Sequence, residues 1–522
     1  DYTEGTYELL TYKNYGDYIE ISKCDTSATE VIIPSEIEGV PVTSIGKSAF
    51  SVSYFSENIL KSVEIPDSVT NIGDDAFYKC ENLTSINIPA GVTHIGREAF
   101  EDCSSLESIE IPDGITIIEY GTFQRCKSLT SVKIPNSVTS IKVNAFEGCM
   151  NLESIEIPDS VTSIEGFAFS QCNSLKSVKI PDSVTSIGGM AFQSAPWLDE
   201  KRKENPLVIV NNILIDGRTC SGDVIIPNSV TSIADHAFDY SNLTSVKIPY
   251  GITSIEERTF YDCHNLISVE IPDSVMSIGK RAFEDCTSLT SIKIPDSVTS
   301  IENYAFCEND NLISIEIPES VTSLGESVFY KTAWLDEKRK ENPLVIVNNF
   351  LVDGKTCTGD VVIPDGVTNI INMSFRENSN LISIEIPESV TIIGTYVFED
   401  CSNLKKVTIL NPECEIIYNM ADTISDTVTI YGYANSTAQA YAEENGRKFV
   451  VIGEAPEKET GSGDMNGDDK VGIADAVLLL EYILGRYELT EEQFKNADIT
   501  GEGYVDSFDM VMLRRMIIEN NK

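Results

Sequence analysis

The chain is poor in the residues that most often carry chemistry. Only three of its 522 residues are His (His94, His236 and His264) and only two are Trp. No HExxH, GxSxG, phosphate-binding Gly-Lys loop or CxxC pair occurs, so metalloprotease, serine hydrolase, nucleotide-binding and thioredoxin-like readings lack their residues. A nucleophile needs an oriented base, and these spacings suggest none. Basic residues are scarce too, 38 against 82 acidic, which leaves a net charge of −44. Such a surface repels phosphate backbones and anionic membranes, so nucleic acid is not an expected partner. No apolar run is long enough to span a bilayer, so no membrane insertion is expected. The chain opens on Asp1 with neither an initiator Met nor a basic and apolar leader, which suits a mature or trimmed exported form. Hydrophobic residues, at 42%, exclude general disorder. The length exceeds one ordinary core, so several domains or a repeat array must follow.

A repeat is present. The Leu that opens "LTSINIPAGVTHIGREAFEDCSS" at Leu83 recurs with period 23 at Leu60, Leu106, Leu129, Leu152 and Leu175, again at Leu243, Leu266, Leu289 and Leu312, then at Leu381 and Leu404. Each unit reads L-x-S-[IV]-x-I-P, then [SG]-[VI]-T-x-I, then a Phe and often a Cys. The first part alternates like a strand, and Pro66, Pro89 and Pro112 close it by removing a ladder donor. One unit cannot bury its own Leu, Ile and Phe, whereas stacked units bury them against their neighbours, so each unit is one coil of a solenoid. Phe once per coil, from Phe50 to Phe192 and from Phe238 to Phe398, predicts an internal aromatic spine. Cys80, Cys103, Cys126, Cys149 and Cys172, with Cys263, Cys286 and Cys401 in the same slot, predict reduced core thiols, since the total of 13 is odd. The outward residue between the strand aliphatics reads Glu64, Asn87, Glu110, Lys133, Glu156, Lys179, then Lys247, Glu270, Lys293, Glu316. Adjacent strands therefore set opposite charges side by side, a pattern that argues against a groove of one sign.

These units, "LxSIxIPxxVTxIGxxAFxxC", resemble leucine-rich repeats of the bacterial 23-residue BspA-like type. The resemblance implies an α/β repeat fold: a right-handed leucine-rich-repeat solenoid with a parallel β-sheet on its concave face, in a family whose members tend to be surface or secreted binding proteins. Two units depart from the template alike, "WLDEKRKENPLVIVNNILIDG" from Trp197 and "WLDEKRKENPLVIVNNFLVDG" from Trp334. They read as variant coils from a duplicated block, with an exposed helical turn in the charged run and Trp used for packing. A helical stretch after Ser436, within 430–452, is similar to the terminal cap of related arrays. Residues 1–452 are thus assigned to the solenoid and its cap, and the polar 453–462 to a linker.

The last segment obeys a different rule. Asp464, Asn466 and Asp468 fall at positions 1, 3 and 5 of a twelve-position calcium loop, with the Lys470 carbonyl at 7 and Asp475 at 12. A second loop places Asp498, Thr500, Glu502, Tyr504 and Asp509 in the same positions. Apolar helices, "AVLLLEYIL" and "MVMLRRMII", follow each loop, and a capping box from Thr490 to Gln493 predicts a short helix between them. The duplicated loop-helix unit over 463–522 is very similar to a dockerin, a small all-α calcium-binding domain. That resemblance implies two Ca2+ ions, a cohesin domain of a cellulosomal scaffoldin as partner, and partner selection by Ile473 and Ala474 in one half and Ser507 and Phe508 in the other. Leu480 and Glu481 stand against Arg514 and Arg515 at matching positions, so the halves are not interchangeable.

The resulting expectation is a secreted, extracellular, monomeric and noncatalytic cellulosomal protein. Its dockerin binds a cohesin with calcium, and its array binds an unidentified protein, cell-surface or polysaccharide ligand. A cell-surface adhesin, or an enzyme or protease inhibitor with its site in the variable repeat loops, is the alternative.

Overall fold

The computed structural model describes residues 2–52, 59–418, 423–455, 462–467, 470–501 and 503–520, with side chains to 517. Each regular coil has three sides. A short strand such as Ser108–Glu110 pairs in parallel with its neighbour, Ser108 opposite Ser131 and Glu110 opposite Lys133. Pro then opens a turn in which Ile115 N donates to the Pro112 carbonyl at 3.1 Å. A second strand follows, of only two residues, Ile117–Ile118, in a parallel ladder with Ser140–Ile141, Ser163–Ile164 and Ser186–Ile187. The repeat pattern announced one strand per coil, and the structure has two. The second was hidden because two residues carry no alternation to read.

The third side is a turn around Phe. Residues two before and two after it take left-handed backbone, as at Asp75 and Lys79, or Glu98 and Asp102. Such residues cost about 1–2 kcal/mol each. The geometry aims amides at the next coil, so that Asp75, Phe77 and Lys79 donate to the carbonyls of Arg97, Ala99 and Glu101 at 2.8–2.9 Å. All three sides are therefore laced from coil to coil.

With one strand spacing of rise per coil, identical side chains come to lie above one another. Phe50, Phe77, Phe100, Phe123, Phe146, Phe169 and Phe192 stack with centroids 4.9–5.6 Å apart and planes within 16°. The expected spine is present, but in three pieces. Phe192 ends the first against Trp197, Phe238 to Phe329 form the second, which ends against Trp334, and Phe375 with Phe398 form the third. The thirteen Cys residues are free and buried. Their slot has a role the sequence did not disclose: the Cys126, Cys149 and Cys172 thiols each donate, at 3.2 Å, to the carbonyl of the Phe one coil back and three positions earlier. Asn309 occupies this slot further on, and its amide donates to the Phe283 carbonyl at 2.7 Å. The position demands a small donor for a buried carbonyl, and a thiol meets that demand with little polar cost.

The two variant coils are seams. Helix α1 (Pro196–Glu204) replaces the first strand, burying Trp197 and Leu198 and pairing Asp199 with Arg202, Glu200 with Lys203 and Lys201 with Glu204 on its outer face. An antiparallel hairpin follows, Val208–Val210 with Ile213–Asp216, whose second strand rejoins the two-residue ladder. Helix α2 (Ala333–Glu341) and its hairpin repeat the arrangement. Gly217 is required there because an added Cβ would sit 2.3 Å from the Phe238 ring, and Gly354 meets Phe375 likewise.

Both ends are closed. Strands Thr3–Tyr7, Leu10–Asn14 and Ile19–Cys24 form an antiparallel sheet that joins the array in parallel through Val40–Ile45. Helix α3 (Thr437–Glu444), capped by Ser436, buries Ala438, Tyr441 and Ala442 over the last coil. The expected cap is therefore in place. Most of the expected linker, 456–461, lies outside the described residues.

Phe146→Ala should cost about 3–5 kcal/mol, read as a fall in the urea midpoint, because the spine holds its cavity open on both sides. All thirteen Cys residues should resist a thiol-alkylating reagent in the native protein and react together in denaturant. Prompt native labelling of more than one or two would contradict the buried ladder.

Candidate functional site

The tail builds its site from two copies of one device. Helix α4 (Ile473–Ile483) starts after Gly472, and Asp475 in its first turn reaches back over the loop. One oxygen, Oδ1, accepts from the amides of Met465 and Asn466 at 2.9 and 3.0 Å, and Oδ2 accepts from Gly472 N at 2.8 Å. After the capped helix α5 (Glu491–Ala497), helix α6 (Ser507–Asn520) repeats the arrangement. There Asp509 Oδ1 accepts from the amide and hydroxyl of Thr500 at 2.9 and 3.0 Å, and Oδ2 from Asp506 N at 2.9 Å. At the opposite lip Asp464 Oδ1 accepts from Gly467 N and Asp498 Oδ2 from Gly503 N, both at 2.8 Å.

The halves are locked together. Gly463 N donates to the Asn496 carbonyl at 2.9 Å, Asn496 Nδ2 returns to the Asp464 carbonyl at 2.9 Å, and Gln493 Nε2 reaches the Met465 carbonyl at 3.1 Å. Met465, Leu479, Ala497, Ile499 and Leu513 form a small core under the two loops.

Asp475 and Asp509 are 1% and 0% exposed, and neither meets a Lys or Arg side chain among the described residues. A buried carboxylate held by backbone amides, with one hydroxyl in the case of Asp509, is costly unless a cation shares it. The donor set therefore fits a hard divalent cation: carboxylates from both ends of each loop, oxygen throughout. Of the sequence-predicted residues, Asn466 meets Asp475 through its amide and Thr500 meets Asp509 through both amide and hydroxyl, while Asp464 and Asp498 each hold an amide of their own loop. Lys470 and Tyr504 are expected to contribute through their main-chain carbonyls. Asp468 and Glu502 lie outside the described residues.

Of the positions expected to choose the partner, Ile473, Ala474, Leu480, Ser507, Phe508, Arg514 and Arg515 are exposed, and Glu481 is half-buried 3.8 Å from Arg486. Val477 on α4, Leu484 at its C-cap and Val511 on α6 are exposed as well. Ile473, Val477, Leu480 and Leu484 follow helical spacing, and Val477 and Leu484 do not stand out in the sequence because α4 is apolar on both faces.

On the array, three pairs of neighbouring positions in the outward ladder form the expected opposite pairs. Lys133 meets Glu110 at 3.0 Å, Lys247 meets Glu270 at 2.6 Å, and Lys179 contacts Glu156. These pairs are exposed and screened, and they supply register rather than attraction. Two of the rare His residues meet carboxylates: His236 Nδ1 lies 3.0 Å from Asp239 in its own turn, while His264 stands between coils, its Nε2 2.7 Å from Asp262 and its Nδ1 3.7 Å from Asp285.

Comparison with known proteins agrees with both parts. A family profile described as a BspA type leucine rich repeat region, in six copies, matches residues 43–151, 139–200, 216–336 and 345–430. The dockerin type I domain profile matches residues 462–518. No curated protein matches the chain. Among solved structures, a leucine-rich repeat protein of Bacteroides ovatus is similar at 24% identity, over 69% of this chain and 94% of that one, with a TM-score of 0.36. A leucine rich cell surface protein of Faecalibacterium prausnitzii is similar at 26% identity over 78% and 94%, with a TM-score of 0.31. At such scores the repeat profile, not any one structure, carries the assignment. With that profile covering most of residues 43–430, the chain belongs to the BspA-type leucine-rich repeat family and ends in a dockerin type I domain.

Proposed function

We propose that this is a noncatalytic, secreted binding protein that plugs into a cohesin of a cellulosomal scaffoldin. Residues 463–522 act as the plug, 453–462 as the linker, and 1–452 as the part left free for a protein, cell-surface or polysaccharide ligand. The observation that carries this reading is the pair of buried carboxylates, Asp475 and Asp509, each oriented by backbone amides at the end of an acidic loop. Two Ca2+ ions are assigned, one held by Asp464, Asn466, Asp468, the Lys470 carbonyl and Asp475, the other by Asp498, Thr500, Glu502, the Tyr504 carbonyl and Asp509. Calcium would supply the positive charge that these carboxylates lack. The backbone amides keep each closing carboxylate aimed into its loop, so the helices that follow are set at the angle the partner reads.

Recognition falls to the exposed residues of α4 and α6. Ile473, Val477, Leu480 and Phe508 offer apolar anchors, while Arg514 and Arg515 give one half a positive charge where the other has the apolar Leu480 and the acidic Glu481. A cohesin therefore meets two different faces, and one docking orientation is favoured. The array acts as a monomer in this scheme, its regular face carrying paired charge.

In a cohesin panel the full chain should bind at least one member in calcium and release it in chelator. Asp475→Ala combined with Asp509→Ala should weaken that binding by about 100-fold, since both clasps are lost. Undiminished binding in metal-free buffer would remove the basis of this reading.

A further inference from the structure

The two seams are internal copies of one structure, and they differ where it matters. In both, an Arg from the helix forks a buried Asp from the hairpin: Arg202 Nε and Nη2 reach Asp216 at 3.0 and 2.8 Å, and Arg339 Nε and Nη2 reach Asp353 at 2.9 and 2.6 Å. That fork ties the helix to the hairpin. Next to it the first seam spends its remaining polar groups on itself. Arg218 donates to the same Asp216 at 2.7 Å and lies 3.9 Å from Asp239, which also holds His236.

At the second seam the counterparts have changed. Lys355, in the place of Arg218, leaves its side chain for Glu377 at 2.7 Å, and Arg376, in the place of Asp239, pairs with Glu399 at 2.6 Å. Asn372 donates to Glu326 at 2.8 Å. The hollow between these groups measures about 280 Å³, as does the one at the first seam, so the two differ in lining rather than in volume. Its apolar wall includes Tyr304, Tyr330 and Met373, and Gln193 stands in the first seam where Tyr330 stands here.

We propose that this hollow at the second seam binds one neutral sugar residue, the end or a side branch of a glycan. Three observations carry the choice. The lining carries three cations, Arg339, Lys355 and Arg376, and two anions, Asp353 and Glu377, and Glu399 outside the lining pairs with Arg376, so each cation already has its carboxylate and the hollow offers little charge to an ionic ligand. The matched groups, carboxylate, guanidinium and amide, are planar and already held in place, which suits them to hydroxyls in pairs and lowers the ordering cost of binding. The tyrosines and Met373 give an apolar wall for the carbon face of a ring. The volume lies just below the range of about 300–1,000 Å³ for drug-sized ligands, so a single ring is accommodated rather than an extended chain. The proposal rests on the reading above only in taking the array as the ligand-binding part.

Isothermal titration of the full chain with cellobiose, xylobiose and mannobiose, in calcium, tests it. At least one should bind saturably with a Kd of about 0.1–10 mM, as expected for a small ligand with few anchors. Tyr330→Ala should weaken that binding at least about 10-fold, and Gln193→Ala at the first seam should leave it unchanged. Cohesin docking of the same variants serves as the control for the tail. No saturable binding of any of the three, equal binding by Tyr330→Ala, or binding of digalacturonate in place of the neutral sugars would overturn the proposal. Retained cohesin docking in those cases would leave the anchoring role standing.

Discussion

The structure depends on one constraint: no coil can bury its own apolar residues. Leu129, Phe123 and Cys126 become interior only because the coils before and after present the same groups at the same height. Burial therefore forces identity from coil to coil, and identity in turn produces the ring stacks, the thiol-to-carbonyl bonds and the register of both ladders. Even the left-handed residues flanking each Phe follow from it, since their amides are aimed at the next coil and would be unpaired without one.

This constraint also decides where function can reside. Positions that carry the repeat are committed to stacking, and charges of the outward ladder pair with one another. What is left is the seams, where the first strand is exchanged for a helix and the Phe stack restarts against glycine, and the tail, which is not part of the array. At both places charge is buried, matched by Arg in the seams and left for a cation in the tail. The Arg339–Asp353 fork closes one, and the amides around Asp475 and Asp509 prepare the other for a cation.

Much of this was legible in sequence, for a physical reason. Periodic identity reports stacking directly, so the spine, the Cys slot, the helical cap after Ser436 and the variant coils at Trp197 and Trp334 could all be read. The tail was legible because oxygen donors at alternate positions have few uses other than wrapping a cation, and the capping box at Thr490 marks its helix start without help from packing. Less legible were elements whose signal is short or relational. The two-residue ladder has no periodicity of its own. The hairpin at 208–216 reads as a run of aliphatics, and the spine's division into three pieces depends on how Phe238 settles over Gly217.

By itself the sequence determined that the chain is a stack of like coils ending in a twinned acidic clasp, because repetition and donor spacing are properties of order along the chain. Only the tertiary structure decided that Cys serves a carbonyl of the previous coil, that Asp475 and Asp509 are buried without basic partners among the described residues, and that the hollows of the two seams carry different linings. Those facts concern groups brought together across a coil or a loop, and the distance between them is set by packing, which no local pattern encodes.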